Sequence, residues 1–294
     1  MKFVTILLNY NNWQDTVECV HSLHNAGIDN NNILIVENCS TDDSFKALKE
    51  NLSSGPEILK TDRNLGFSGG NNFGISHALK CNPEYIILLN NDTLVDSNSI
   101  RILTEEMDRH PEASLGTGQI RYYPEKEKIW YAGGKLNKWR GLAVHLYENE
   151  YADRLQLSND PSFVSFISGC YLCIRTSMME KTGLLNEKFF LYHEDIEFSA
   201  RAVRNGLKLL YIPLSVIYHK CRGERRLRER TLYYAVRNRN LLIDMCFPFI
   251  AKIYFYLVIR TKMLVWFFSD KELFRAASIG LQDYKNDVFG QVRI

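Results

Sequence analysis

A carboxylate that closes an apolar strand is the residue with the most chemical potential in this chain. Leu88-Leu-Asn-Asn-Asp-Thr93 carries one such group, Asp92, out of a run of core-type residues. Hard divalent cations prefer oxygen ligands and commonly share themselves between a carboxylate and a substrate's phosphates. A pair of acids, Glu194 and Asp195, follows Asn186-Glu-Lys-Phe-Phe-Leu-Tyr-His193 and opens an amphipathic stretch. Acids favour helix starts for electrostatic reasons. A carboxylate among aromatics is also suited to general-base work. A third stretch, Arg63-Asn-Leu-Gly-Phe-Ser-Gly-Gly-Asn-Asn72, is glycine-rich. Glycine lets backbone amides approach a ligand, and a following helix offers its N-terminal amides to an anion. The stretch is neither a G-x-G-x-x-G nor a Walker loop, and the same spacing serves equally as a tight strand-to-helix connection. His219 ends a late apolar strand and gains chemical meaning only where the fold carries it to Asp92.

These residues need a frame, and the apolar pattern supplies one. Residues 3–8, 33–36, 56–59 and 85–89 are short apolar runs, which mark strands buried on both faces. Between them, residues 16–26, 45–52, 68–79 and 99–109 carry apolar side chains at helical spacing. Ser40-Thr-Asp-Asp43 supplies a cap and acids for the second of these helices. Strands alternating with helices predict a doubly wound, mostly parallel α/β sheet. Ligands of such sheets bind outside the carboxyl ends of the strands. The polar residues there are Asn9-Tyr10-Asn11, Glu37-Asn38, Asp62-Arg63-Asn64 and Asn90-Asn91-Asp92.

From about residue 116 the pattern changes to short strands at 119–123, 129–132 and 164–174, a mixed or antiparallel extension. A short helix over 177–182, a strong amphipathic helix over 195–205, and strands at 207–212 and 215–219 follow, with Pro213 closing the first of these strands. The remainder is basic and helical. It carries 15 Lys/Arg against 7 Asp/Glu from Lys220 onward, a net of +8 in a chain whose total is +2. Such a segment suits an anionic surface or phosphates. Nucleic acid is disfavoured, because no helix-turn-helix, RNP or zinc-finger pattern is present. The apolar run over 247–268 is broken by Lys252, Arg260 and Lys262, so it does not read as a span. It fits either a helix on a membrane surface or one packed on the catalytic part. Seven scattered cysteines argue against a disulfide framework. Cys170-x-x-Cys173 lies in an apolar run with no second pair to complete a zinc site, and reads as a buried strand. Met1-Lys2 leads into a strand without a signal-peptide pattern, so a cytoplasmic location is expected, with peripheral contact on the inner face of the cytoplasmic membrane.

Taken in order, the motifs resemble family-2 glycosyltransferases, and among them the bacterial rhamnosyltransferase-like members. The matched series is Asn9-Tyr10-Asn11, Val36-Glu-Asn-Cys-Ser-Thr-Asp42, Asn64-Leu-Gly-Phe-Ser-Gly-Gly-Asn-Asn72, Leu89-Asn-Asn-Asp92, Ser168-Gly169, Gly183-Leu-Leu-Asn-Glu187, Phe189-Phe190, His193-Glu-Asp195, Pro213 and His219. Arg237-Asn238, after two tyrosines, is also similar to the family's C-terminal helix. The resemblance implies a GT-A fold over residues 1–219 and a helical segment over 220–294. It implies inverting sugar transfer from a nucleoside-diphosphate donor, dTDP-rhamnose favoured and UDP-hexose allowed. The acceptor it implies is a cell-surface glycan or its lipid-linked precursor. Asn9, Tyr10, Asn11, Glu37, Asn38, Ser40, Arg63, Gly69, Gly70, Asn71, Asn91 and Asp92 are then donor-binding. Glu37 stands where an aspartate is more common. Asp92 and His219 would hold Mg²⁺ or Mn²⁺, with Asn90 and Asn91 in place of further acids. Asp195 is the expected base and Glu194 the second choice. Arg222, Arg225 and Arg226 could fold over the diphosphate. Two other readings of the residues stay open. One is a sugar nucleotidyltransferase, although Asn9-Tyr-Asn-Asn-Trp13 lacks that class's glycine. The other is a catalytically inactive nucleotide-sugar-binding module.

Overall fold

In the computed structural model, residues 1–221 and 228–292 are described. The first half is the expected alternation: β1 (Phe3–Asn9), α1 (Trp13–Asn25), β2 (Ile33–Glu37), α2 (Ser44–Asn51), β3 (Glu57–Lys60), α3 (Gly66–Ala78) and β4 (Tyr85–Asn90). The short β5 (Thr93–Val95) and α4 (Ser99–Arg109) follow. The strands β3, β2, β1 and β4 are adjacent and parallel in that order. Chain direction away from β1 reverses between β2 and β4, so the crevice of the sheet opens over the ends of β1 and β4.

The second half completes the sheet with mixed pairing. Its strands are β6 (Ala113–Tyr122), β7 (Ile129–Tyr131), β8 (Gly134–Asn137), β9 (Leu142–His145), β10 (Ser162–Val164), β11 (Tyr171–Arg175) and β12 (Lys208–His219). β11 runs antiparallel between β4 and β6, β12 lies parallel to β6, and β8 with β9 forms a separate hairpin. Between β11 and β12 lie the single turn α5 (Met179–Thr182) and α6 (Glu194–Arg204). The chain then forms α7 (Arg228–Cys246), α8 (Phe249–Ser269) and α9 (Lys271–Lys285).

Alternation along the strands splits the core in two. Leu7, Ile35, Ile87 and Leu89 face α1 and α4, whereas Ile6, Leu34, Val36 and Leu88 face α3 and α6. The C-terminal helices have their own core, including Val236, Ile243, Phe255 and Ile259, and α7 also packs on α6.

Two expectations need correction. The apolar run 164–174 is two strands, because Ser168 and Gly169 break it where α6 arrives. Pro213 does not divide the next pair. β12 is continuous and absorbs the proline as an irregularity, its register against β6 shifting between Ile212 and Val216. Gly69 and Gly70 lie in the first turns of α3, within the helix expected over 68–79. A Cβ at Gly70 would lie 2.5 Å from Leu8 Cδ1, and one at Gly74 2.9 Å from Ile6 and Val36. These two glycines let α3 approach the sheet. The seven cysteines are free, with Cys170 and Cys173 buried as expected of a strand.

Candidate functional site

The site is built around one strand junction. Asn90 at the end of β4 donates its backbone N–H to Cys170 O, at 2.9 Å. The turn Asn91-Asp92 follows on one side and Ser168-Gly169 precedes on the other. β5 pairs with the end of β12, setting Thr93 opposite His219. That register brings His219 Nε2 to 3.1 Å from Asp92 Oδ1. On the far side, Gly169 donates its N–H to Asp195 Oδ2 at 3.0 Å, and Ile196 N donates to Asp195 Oδ1 at 2.8 Å. Residues more than a hundred positions apart thus meet at one edge of the sheet. Buried between them, the Cys170 thiol is pushed up by burial first and then by the charges of both Asp92 and Asp195.

A two-lobed cleft opens over this edge. The smaller lobe, about 230 Å³, is bordered by Tyr10, Asn38, Phe67, Asn91, Asp92 and Arg230. The larger, about 780 Å³, runs past Asn11, Gln14 and Asp15 to Tyr192 and Thr231. Tyr10, Asn91, Asp92, Leu191 and Arg230 border both. Asp195 is set back from these walls. Gly169, its partner, packs against the Phe67 ring, to which a Cβ would come within 3.3 Å.

Several expected residues shape the walls. Asn9 is fully buried and accepts from Thr16 Oγ1 at 2.9 Å. Asn91 donates to the same hydroxyl at 2.8 Å, which ties the turn beside Asp92 to α1. Asn11 takes a left-handed φ of 54° and donates its N–H to Ser40 Oγ. Glu37 is fully buried. Its Oε1 accepts from Ser40 N at 2.7 Å, whereas Oε2 has no partner among the described residues. Such an orphaned carboxylate oxygen is costly unless a ligand donor meets it. Asn38 accepts from Leu65 N and donates to Gly66 O, fixing the turn into α3. Arg63 is exposed, and Gly69, Gly70 and Asn71 are buried within α3, away from both lobes. Gly70 packs closely on Leu8 of β1. Arg222, Arg225 and Arg226 lie outside the described residues.

The backbone that delivers Glu194 and Asp195 is irregular. Phe190, Tyr192 and His193 all have left-handed φ, of 60°, 68° and 73°. Each costs on the order of 1–3 kcal/mol and persists only when its surroundings dictate it. From α3, Asn72 donates to Leu185 O and to Glu187 Oε1, and Phe67 N donates to Phe190 O. From α7, the fully buried Asn238 donates to Phe189 O, Leu191 O and Tyr192 O at 2.7–2.8 Å. Arg237, also fully buried, donates to Phe189 O at 3.0 Å and to Lys188 O at 3.3 Å. The C-terminal helices therefore hold the acid pair in place.

Electrostatics separates the carboxylates. Asp92 would be raised by burial, but the hydrogen bond and charge of His219 hold it below the usual carboxylate range. His219 is lowered by burial, yet its bond to Asp92 raises it to about 9. Glu194 is pushed up to about 8, by burial first and then by Asp195. Burial raises Asp195 too, opposed by the Gly169 hydrogen bond and the charge of His145. Trp130 links the two ends, its ring centre 5.0 Å from His219 and 4.6 Å from His145. Neither Trp130 nor His145 stood out in the sequence, because neither sits in a motif.

A carboxylate oxygen and an imidazole nitrogen converging at the cleft suit Mg²⁺ or Mn²⁺. Among the described residues no cluster of three or more His, Cys, Asp or Glu is arranged to hold a metal. Asp92 and His219 fit a cation that completes its shell with substrate and water, not one caged by protein.

Comparisons with known proteins identify a family and a fold. The family model described as Glycosyl transferase family 2 matches residues 5–183. A low-salt glycan biosynthesis hexosyltransferase, Agl10, of Haloferax volcanii is 31% identical over 154 residues, 50% of this chain and 46% of that protein. An N-acetylglucosaminyl-diphospho-decaprenol L-rhamnosyltransferase of Mycobacterium tuberculosis is 26% identical over 66% of this chain and 68% of its own length. GalNAc-T7, solved with UDP, GalNAc and Mn²⁺, superposes with a TM-score of 0.67 at 17% identity, over 98% of this chain and 56% of that one. S. aureus TarS 1–349 with UDP-GlcNAc gives 0.55 at 16% identity, over 84% and 67%. The matched stretches span about half the length of the hexosyltransferase and of GalNAc-T7. The structural likenesses show the fold, which is GT-A.

Glu194 generates a prediction. Its folded pKa is raised, so the stability it contributes is full below the unfolded carboxyl pKa and is lost as pH rises towards about 8. Urea unfolding at pH 5 and pH 8.5 should show the wild type losing stability over that window. Glu194→Gln should lose distinctly less. Parallel losses in the two proteins would show that Glu194 is not held neutral.

Proposed function

This chain belongs to glycosyl transferase family 2, and on that premise we propose that it is a metal-dependent inverting glycosyltransferase. It takes a sugar from a nucleoside-diphosphate donor and adds it to a hydroxyl of a cell-surface glycan or a lipid-linked glycan precursor. dTDP-rhamnose is the favoured donor and a UDP-hexose the other candidate. The rhamnosyltransferase and hexosyltransferase relatives support that range. The observation that carries the reading is that Asp92 and Asp195 lie on either side of the Asn90–Cys170 junction. One acid lies on the cleft wall and the other sits behind it, at the start of α6.

The two acids take different roles. Asp92 and His219 would hold Mg²⁺ or Mn²⁺, which supplies charge neutralisation to the departing diphosphate. Asn9, Ser40 and Asn38 shape the nucleotide end, with Tyr10, Asn11 and Asn91 lining it. Glu37 offers its unpartnered oxygen to an N–H of the base. Asp195 accepts the proton of the acceptor hydroxyl. The hydroxyl oxygen forms its bond to the anomeric carbon as the bond from that carbon to the phosphate oxygen breaks. Attack opposite the leaving group inverts the configuration. Burial raises the proton affinity of Asp195, which improves it as a base near neutral pH. Glu194, neutral beside it, limits the negative charge of the pair.

The partner surface is α8. This 21-residue helix has no Asp or Glu. Phe249, Leu257, Leu264, Val265 and Phe268 are exposed, Phe268 to 81%. Arg260 and Lys262 share the outer surface. Trp139, 71% exposed, projects from the turn of the β8–β9 hairpin. Gly141 of that turn abuts Ala251 of α8. Among the described residues no helix is long and apolar enough to cross a membrane. Apolar and basic side chains without acids suit the surface of an anionic bilayer. Residues 1–219 then form the catalytic part, and 220–294 both brace its acid pair and meet the membrane's inner face.

Asp195→Asn should cut transfer by roughly 10²–10⁴-fold while donor affinity, measured calorimetrically, stays near wild type. Near-normal turnover would remove Asp195 as base. For the surface, full-length protein should float with phosphatidylglycerol vesicles and not with neutral ones. A variant carrying Leu257→Glu, Leu264→Glu and Phe268→Glu should stay at the bottom of the gradient. Equal flotation contradicts the membrane assignment, as does a change from dimer to monomer in the variant without any vesicle binding by the wild type.

A further inference from the structure

We infer that Arg230 is the fixed cation that receives the diphosphate of the donor, a residue-level extension that rests on the donor reading above. Arg230 lies in the first turn of α7 and borders both lobes of the cleft. It is the sole Lys or Arg among their described lining residues, which also include the acids Asp92 and Asp15. Its Nε is buried without a hydrogen-bond partner among the described residues. Its guanidinium lies 6.0 Å from the Tyr234 ring, and no described carboxylate pairs with it.

Among the described residues near this cleft, Lys220 is a second cation. Its ammonium is paired with Asp15 and Glu18. An arginine half-withdrawn from water without a counter-ion is unfavourable until an anion arrives. Its planar fork matches phosphate oxygens two at a time. The departing group needs such a partner because Asp92 is the only carboxylate in its own turn, so the metal end carries little protein charge. Arg230 shares both walls with Asp92, Asn91 and Tyr10, which sets it at the phosphate end of the donor rather than beside the base. A lipid-linked acceptor carries the same diphosphate chemistry, and the experiment separates the two sources.

Full-length wild type, Arg230→Gln and Arg230→Lys are titrated with UDP and dTDP in the presence of Mg²⁺, and with uridine and thymidine as phosphate-free controls. Arg230→Gln should weaken the diphosphates by roughly 10- to 100-fold and leave the nucleosides unchanged. Arg230→Lys should fall between, since it keeps the charge and loses the fork. Melting curves confirm that both variants are folded. Unchanged diphosphate affinity in Arg230→Gln overturns the inference, as does an equal loss for the nucleosides. A rise confined to the KM of a lipid-diphosphate acceptor also overturns it and gives Arg230 to the acceptor. A wild type that binds neither diphosphate sinks the donor reading itself, and this inference with it.

Discussion

The carbonyls of residues 188–192 are the constraint on which the rest depends. A segment with several left-handed residues cannot satisfy its backbone by helix or sheet pairing, and buried unpaired carbonyls are costly. Arg237 and Asn238 meet that need from α7, and Asn72 with Phe67 holds the other flank from α3. The side chains that do so are themselves mostly buried, so they have no alternative partner in water. Because the donors come from opposite ends of the chain, the acid pair forms only when the sheet, α3 and the C-terminal helices are assembled together. The C-terminal segment is therefore part of the site and not only a surface appendage.

The parallel half of the sheet was legible because its strands are buried on both faces and read as unbroken apolar runs. Helix positions followed within a few residues for the same reason. The mixed half was harder. Ser168-Gly169 interrupts an apolar run without a strong turn signal, and its meaning comes from Asp195, 26 residues later. Pro213 was read as a strand end because proline cannot donate to a ladder, yet β12 accommodates it at a register shift. The glycines of the Arg63–Asn72 stretch suggested a ligand loop because glycine serves backbone approach and tight packing alike. Within that stretch, Gly70 shows the tight packing, against Leu8.

The site was legible as a set of types, less so as an arrangement. Asp92 comes to lie beside His219, and Asp195 behind the same strand junction, through pairings of β5 with β12 and of β4 with β11 that no local pattern specifies. The sequence marks Arg237 and Asn238 only by their similarity to the family's C-terminal helix, and full burial, rare for arginine, is visible only in the structure. Arg230 was missed among six arginines between residues 222 and 237 that look alike in sequence. Position on a helix, not composition, singles it out. Trp130 and His145 were invisible for the same reason, although they bridge the two ends of the site.

The account stands on a division of labour, with one carboxylate serving the leaving diphosphate and another, across the strand junction, serving the attacking hydroxyl. The proposed mechanism is a single displacement, without a covalent sugar intermediate. The most direct measurement is the anomeric configuration of the newly formed linkage, read by NMR from the product of the first donor the protein accepts. The account predicts a configuration opposite to that of the donor. A linkage that retains the donor's configuration would contradict it.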